Sequence, residues 1–130
     1  MRVKYSTSPP VGGPHDPVPL AGGVYTTPLS TDPGKQSSIY QAVHSLEHGY
    51  VIIWYKSLSP SEVDALTKSV AGESKVIVAP YPDLPDDDKM AVTAWGRLDY
   101  CKKPSTKVTD AFIKLYRNAP SAPEYYQPAV

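Results

Sequence analysis

The sequence predicts an α+β domain: a small, mostly antiparallel sheet packed with about three helices, preceded by a long, ordered Pro/Gly-rich arm. Three observations carry this reading. Apolar residues recur at helical spacing in three separate stretches. Short runs rich in β-branched and aromatic residues lie between and after them. The prolines, 15 in 130 residues, crowd positions 9–33, 80–85 and 120–128, where they exclude regular helix and central strands. The length suits a single domain with its own core, divided into an arm at 1–34, an α+β core at 35–119 and a flexible tail at 120–130.

The arm contains "STSPPVGGPHDPVPLAGGVYTTPLSTDPGK". A structureless stretch of this length is unusual in a compact domain unless it serves a function. Its apolar residues Val18, Leu20, Val24, Tyr25 and Leu29 are expected to pack down on the core.

A helix follows at 36–47, "QSSIYQAVHSLE", with Ser37 or Ser38 as its cap and Gly49 just past its end. "YVIIWYK" reads as a strand at 50–56. "SPSEVDALTKSVAG" is the clearest helix: Ser59 caps it, Pro60 opens it, Glu62 completes a capping box and Gly72 closes it. Val63, Leu66 and Val70 share one of its faces. "KVIVAPY" at 75–81 is a second strand and "PDLPDDDK" an acidic turn. "MAVTAWGRLDY" at 90–100 is a third strand, bulged at Gly96. The last helix spans 105–119, with Val108, Phe112 and Leu115 inward.

Composition excludes some functions. Acidic and basic side chains balance at 13 each, so bulk charge gives no footprint for nucleic acid. The single cysteine, Cys101, excludes an intrachain disulfide. No apolar run reaches the roughly 18 residues of a spanning helix, and "MRVKYSTSPP" lacks the apolar stretch of a signal peptide. No membrane insertion by this chain is expected.

The chemistry concentrates in "VHSLEHG". On a helix, His44 and His48 are one turn apart and share a face, so both imidazoles can hold one ion. Glu47 lies beside them. H-x-x-E-H is also the order found in inverted zinc proteases, where glutamate is the general base. The chain's third histidine, His15, sits in "GGPHDP" on the arm. A set of His15, His44 and His48 would use every histidine, leave a coordination position open, and give the arm a reason to be ordered. Neutral imidazole suits copper or zinc. Against this stands an ordinary explanation, that histidine is favoured at a helix C-terminus by the dipole, by about 0.3–1 kcal/mol.

Other candidates are weaker. Cys101 has two lysines nearby in sequence but no histidine beside it, which reads as an idle thiol. Asp86, Asp87 and Asp88 lack the spacing of a calcium loop. Met90 reads as core rather than as a copper ligand.

"YSTSPPVGGPH", "GVY", "HSLEHGYVIIWY", "VAPYP" and "TAWGR" occur in this order. In this, residues 5–118 resemble a bacterial family known as domain of unknown function 3105. Gly12 stands where that family usually has serine. The resemblance maps its histidines onto His15, His44 and His48 and its glutamate onto Glu47. It implies an extracytoplasmic location, because many relatives carry a signal or anchor, but it supplies no reaction. The sequence reading is thus a small transition-metal-binding domain. The alternatives are a metal-dependent hydrolase with Glu47 as general base, and a metal-free interaction module presenting the chain's ten tyrosines to a protein partner.

Overall fold

The computed structural model describes residues 3–130. Its elements run β1 (Gly23–Val24), α1 (Ile39–Glu47), β2 (Val51–Tyr55), α2 (Pro60–Ser69), β3 (Val76–Pro80), β4 (Met90–Ala94), β5 (Arg97–Cys101) and α3 (Thr106–Tyr116). The strands form one five-stranded sheet in the order β1-β3-β2-β4-β5. The α+β class stands, but the sheet is mixed rather than mostly antiparallel. β3 pairs parallel with both β1 and β2, while β2–β4 and β4–β5 are antiparallel. The reason is connectivity. Between β2 and β3 the chain passes through α2, and a crossover helix returns it to the same end of the sheet.

Two further expectations change. The stretch 90–100 is not one bulged strand. It is a hairpin, in which Ala94 faces Arg97 across a two-residue turn at Trp95–Gly96. Gly96 has φ +72°, a conformation that glycine adopts without a Cβ clash. On α3, Leu115 is 68% exposed, and the inward face is Thr109, Phe112 and Ile113. Thr109 disguised that face, because its polar side chain falls where an apolar residue would have marked it.

The helices begin where local chemistry dictates. Ser38 and Ser59 each close a capping box, with Gln41 and Glu62 respectively, and Ser105 accepts from the Val108 amide to cap α3. The sheet is buried on both faces at its centre, so its central strands are largely apolar, and buried Thr93 of β4 is satisfied by accepting from Trp54 Nε1. Strand alternation sends Ile52, Trp54, Ile77, Ala79 and Ala91 to one side, where Ala42 and Leu46 of α1 and Leu20 and Leu29 of the arm meet them. Val51, Ile53, Val76, Val78 and Val92 point to the other, against Leu66 of α2 and Phe112 and Ile113 of α3.

The arm is held by backbone bonds rather than by regular structure. The Asp16 and Leu20 amides donate to the carbonyls of Tyr40 and Gln41 on α1, and the Gly96 amide donates to the Val11 carbonyl. The Ser45 hydroxyl bonds both the amide and the carbonyl of Leu20. Leu20 and Leu29 are buried as expected, whereas Val18 is 55% exposed. Residues 120–130, read from sequence as a flexible tail, also contact the core. Ala122 is buried, the Glu124 amide donates to the Glu47 carbonyl, and the Gly22 amide donates to the Val130 carbonyl.

Candidate functional site

The last turn of α1 places His44 and Glu47 side by side, and His48 is its C-cap. The helix ends there because Gly49 takes φ +87° and packs against Asn118, where a Cβ would fall 2.9 Å from the Asn118 Cα. Arm residue His15 comes down on this turn. Its ring centroid lies 4.8 Å from that of His44, which in turn lies 4.6 Å from that of His48. Trp95, at the tip of the β4–β5 hairpin, stands edge-on to His15 at 6.3 Å. The hairpin thus backs the arm where the arm delivers its histidine.

Hydrogen bonds fix two of the three ring states. His44 Nδ1 lies 2.7 Å from the Asp16 carbonyl, and His15 Nδ1 lies 2.8 Å from the Gly13 carbonyl. A carbonyl only accepts, so both Nδ1 atoms carry the proton and each neutral ring keeps a lone pair on Nε2. These Nε2 atoms turn toward the cluster: His15 Nε2 is 3.4 Å from Glu47 Oε1, and His44 Nε2 is 3.1 Å from His48 Nε2.

The structure brings together all four residues singled out from the sequence and adds a fifth. Glu124 reaches His48, Oε1 to Nε2, at 3.6 Å. Among the described residues, two sets of three have donor atoms all within 4.8 Å of one another: His15, His44 and Glu47, and Glu47, His48 and Glu124. Glu47 belongs to both sets and links them; neither set holds all three histidines, His15 and His44 falling in one and His48 in the other. Glu124 lies in "SAPEYY", where a single glutamate among prolines and tyrosines gives no periodic or spacing signal.

Burial and mutual charge tune the cluster. Desolvation raises the Glu47 pKa above its ordinary value, and its hydrogen bond with Glu124 raises it further, while His15 pulls it back. Desolvation lowers the His48 pKa, with the His44 ring adding to the effect, so His48 is held toward the neutral form. His48 Nδ1 is buried and has no hydrogen-bond partner among the described residues. The helix C-terminus contributes partial negative charge at this spot. The whole arrangement offers neutral nitrogen lone pairs and carboxylate oxygens at the end of a dipole that favours cations. A cavity of about 260 Å³ opens on the arm side of His15, with Pro14, Asp16 and Tyr40 also in its wall; His44, Glu47, His48 and Glu124 do not line it.

The weaker candidates lie elsewhere. Met90 is buried in the α2–α3 side of the core and Cys101 packs against that same cluster. Burial pushes the Cys101 thiol pKa up, and Asp99 and Asp88 push it in the same direction; the neighbouring lysines do not activate it. Asp87 and Asp88 pair with Lys102.

A family model described as "Protein of unknown function (DUF3105)" matches residues 1–129. The chain belongs to this family. In this member the motif segments of the arm, α1 and the β4–β5 hairpin converge on the histidine–glutamate cluster. No curated protein and no solved structure matches the chain. Among the described residues, no helix is long and apolar enough to cross a membrane.

Proposed function

We propose that this domain binds a transition-metal ion, copper or zinc, through His15, His44 and His48 with Glu47 beside them. The observation that carries the reading is the paired tautomer control. Backbone carbonyls take the Nδ1 protons of His15 and His44 and leave Nε2 lone pairs on the cluster side, the usual arrangement behind metal-ligating imidazoles. Two ligands on one tetrahedral zinc, with bonds of about 2.0–2.1 Å, stand about 3.3–3.4 Å apart; the His44–His48 pair at 3.1 Å and the His15–Glu47 pair at 3.4 Å support shared ligation within each pair. An extracytoplasmic location, implied by the sequence resemblance, is part of the same proposal.

The test is thermal melting of the chelator-stripped protein with zinc and with copper. A ligand that binds only the folded chain raises its stability by about 2.7 kcal/mol at a hundredfold excess over Kd. The wild type should shift and His44→Ala should not. If neither metal moves the wild-type melt at micromolar excess, the reading fails and a metal-free interaction module takes its place.

The cavity beside His15 favours one second reading, a metal-dependent hydrolase. In it Glu47 takes a proton from a metal-bound water, whose pKa falls to about 7 on zinc. Glu47→Gln would then keep metal and lose hydrolysis of activated esters or peptides, whereas equal loss of both would make Glu47 a ligand.

A further inference from the structure

We infer that Glu124 is also a metal ligand, and that the completed set takes a divalent first-row ion through imidazole nitrogens and carboxylate oxygens. The inference rests on the metal-binding reading above and extends it to a segment of the chain that the motifs do not reach.

Glu124 is positioned by bonds at both ends of the site. Its own amide donates to the Glu47 carbonyl, so its backbone is tied to the residue whose carboxylate both donor sets share. One residue later, the Tyr125 carbonyl accepts from Lys75 Nζ at 3.0 Å. The same ammonium donates to the His48 carbonyl at 2.9 Å and to Asn118 Oδ1 at 2.7 Å. Lys75 is buried and joins the C-terminal segment to the end of α1. The Glu124 side chain is therefore delivered to His48 by a fixed frame.

Charge supports ligation. A carboxylate oxygen of Glu47 and one of Glu124 lie within 4.8 Å of each other and of a His48 ring nitrogen, at the negative end of α1. Two ionised carboxylates at a helix C-terminus repel one another, and a shared proton or a cation relieves them; a dication takes the place of that proton. A dication balances both carboxylates, and a monocation leaves one uncompensated. The donor chemistry points the same way. Carboxylate and imidazole suit zinc(II), iron(II) and manganese(II), while copper(I) prefers sulfur. Cys101 and Met90 belong to the opposite face of the sheet, so neither contributes a soft donor.

The experiment titrates the chelator-stripped protein with zinc(II), and separately with copper(I) under anaerobic reducing conditions, for wild type, Glu124→Gln and His44→Ala. Amide hydrogen exchange across residues 119–127 is followed in parallel. The expected result is a loss of zinc affinity of at least tenfold in Glu124→Gln, with copper(I) affinity within twofold of wild type. Zinc should slow exchange at the Glu124 amide in the wild type and not in Glu124→Gln. Unchanged zinc affinity in Glu124→Gln, alongside loss in His44→Ala, overturns the inference and leaves the histidine site standing. Equal losses for both metals assign Glu124 a structural role and also overturn it. Absence of zinc binding by the wild type fails both readings together.

Discussion

His44 and His48 face each other Nε2 to Nε2 across 3.1 Å, and the Asp16 carbonyl holds the His44 proton on the far side of its ring. His44 Nε2 is therefore a lone pair in the neutral ring. Either His48 donates to it, or a cation takes both lone pairs. If His48 donates, its buried Nδ1 keeps a lone pair with no partner. If a cation takes both lone pairs, the His48 proton moves to Nδ1, and that buried atom has no partner among the described residues in this state either; what the cation changes is the direct Nε2–Nε2 contact.

Metal affinity should depend on pH with a definite sign. Protons compete for the same nitrogens, so zinc binding weakens as pH falls through the histidine range near about 6.5. His48, whose pKa burial lowers, enters that competition later than an ordinary imidazole. The expected outcome is a fall in zinc affinity of at least about tenfold between about pH 7.5 and 5.5. Isothermal titration at the two pH values measures it. A flat profile would place the ion on carboxylates alone.

Glu47→Gln should stabilise the metal-free protein at neutral pH. The folded-state pKa of Glu47 is raised, first by desolvation and then by Glu124. The folded chain therefore binds the proton more tightly than the unfolded chain. Above the folded pKa, the ionised carboxylate carries a stability penalty, which disappears as pH falls below the unfolded value. Glutamine removes the penalty. Urea melts of chelator-stripped protein should show Glu47→Gln above wild type at pH 8, with the difference shrinking toward pH 4. The same difference at both values would contradict the electrostatic cause.

What the sequence disclosed depended on how local each signal was. The start of α2 is written in four adjacent residues, Ser59 to Glu62, and its N-cap, first-turn proline and capping box form as read, whereas its C-cap is Val70 and not a glycine. His44, Glu47 and His48 are likewise legible because one helical turn relates them. The β4–β5 turn was missed because Trp95–Gly96 lacks the Asn-Gly or Asp-Gly signature of a tight hairpin, so a bulge explained Gly96 equally well. The parallel pairing of β2 with β3 was available in the strand–helix–strand order, but the direction of a strand is a property of its connection and not of its residues. Glu124 had no signal at all. Its role in the cluster depends on a chain reversal after α3 and on the contacts of Lys75, and neither leaves a pattern around position 124.

Gly49→Ala should unfold the end of α1. The backbone there has φ +87°, and a Cβ would lie 2.9 Å from both Cα and Oδ1 of Asn118. The left-handed conformation alone costs a non-glycine residue roughly 1–2 kcal/mol, and the backbone contact cannot be relieved by a rotamer change. Asn118 also donates its amide to the Gly49 carbonyl, so any shift breaks a bond. A loss of at least about 2 kcal/mol in denaturant melts is expected. Because His48 precedes Gly49, zinc affinity should fall with it.

Lys75→Met should loosen the frame without touching a donor atom. The ammonium bonds the carbonyls of His48 and Tyr125 and the side chain of Asn118, and burial lowers its pKa. Methionine matches its length but leaves these acceptors unpaired, at a cost of about 1–3 kcal/mol each before the relieved burial of the charge offsets part of it. The net expectation is destabilisation together with faster amide exchange at residues 122–127. Exchange at wild-type rates would show that the C-terminal segment is held by its other contacts.

Gly12→Ser should be tolerated. The sequence resemblance places serine at this position, and the structure provides room for one. A Cβ on Gly12 would sit 3.5 Å from the Trp95 ring, an ordinary contact. Trp95 in turn stands edge-on to His15, so the new side chain would support the ring that backs the histidine. Replacing glycine where the backbone allows it reduces the freedom of the unfolded chain, worth about 0.4–1 kcal/mol. The expected outcome is a melting temperature equal to or above wild type, with zinc affinity unchanged or tighter. A marked loss of stability would mean that the arm approaches Trp95 more closely than the 3.5 Å contact allows. A gain in zinc affinity without a gain in stability would instead assign the hydroxyl a direct part in orienting His15.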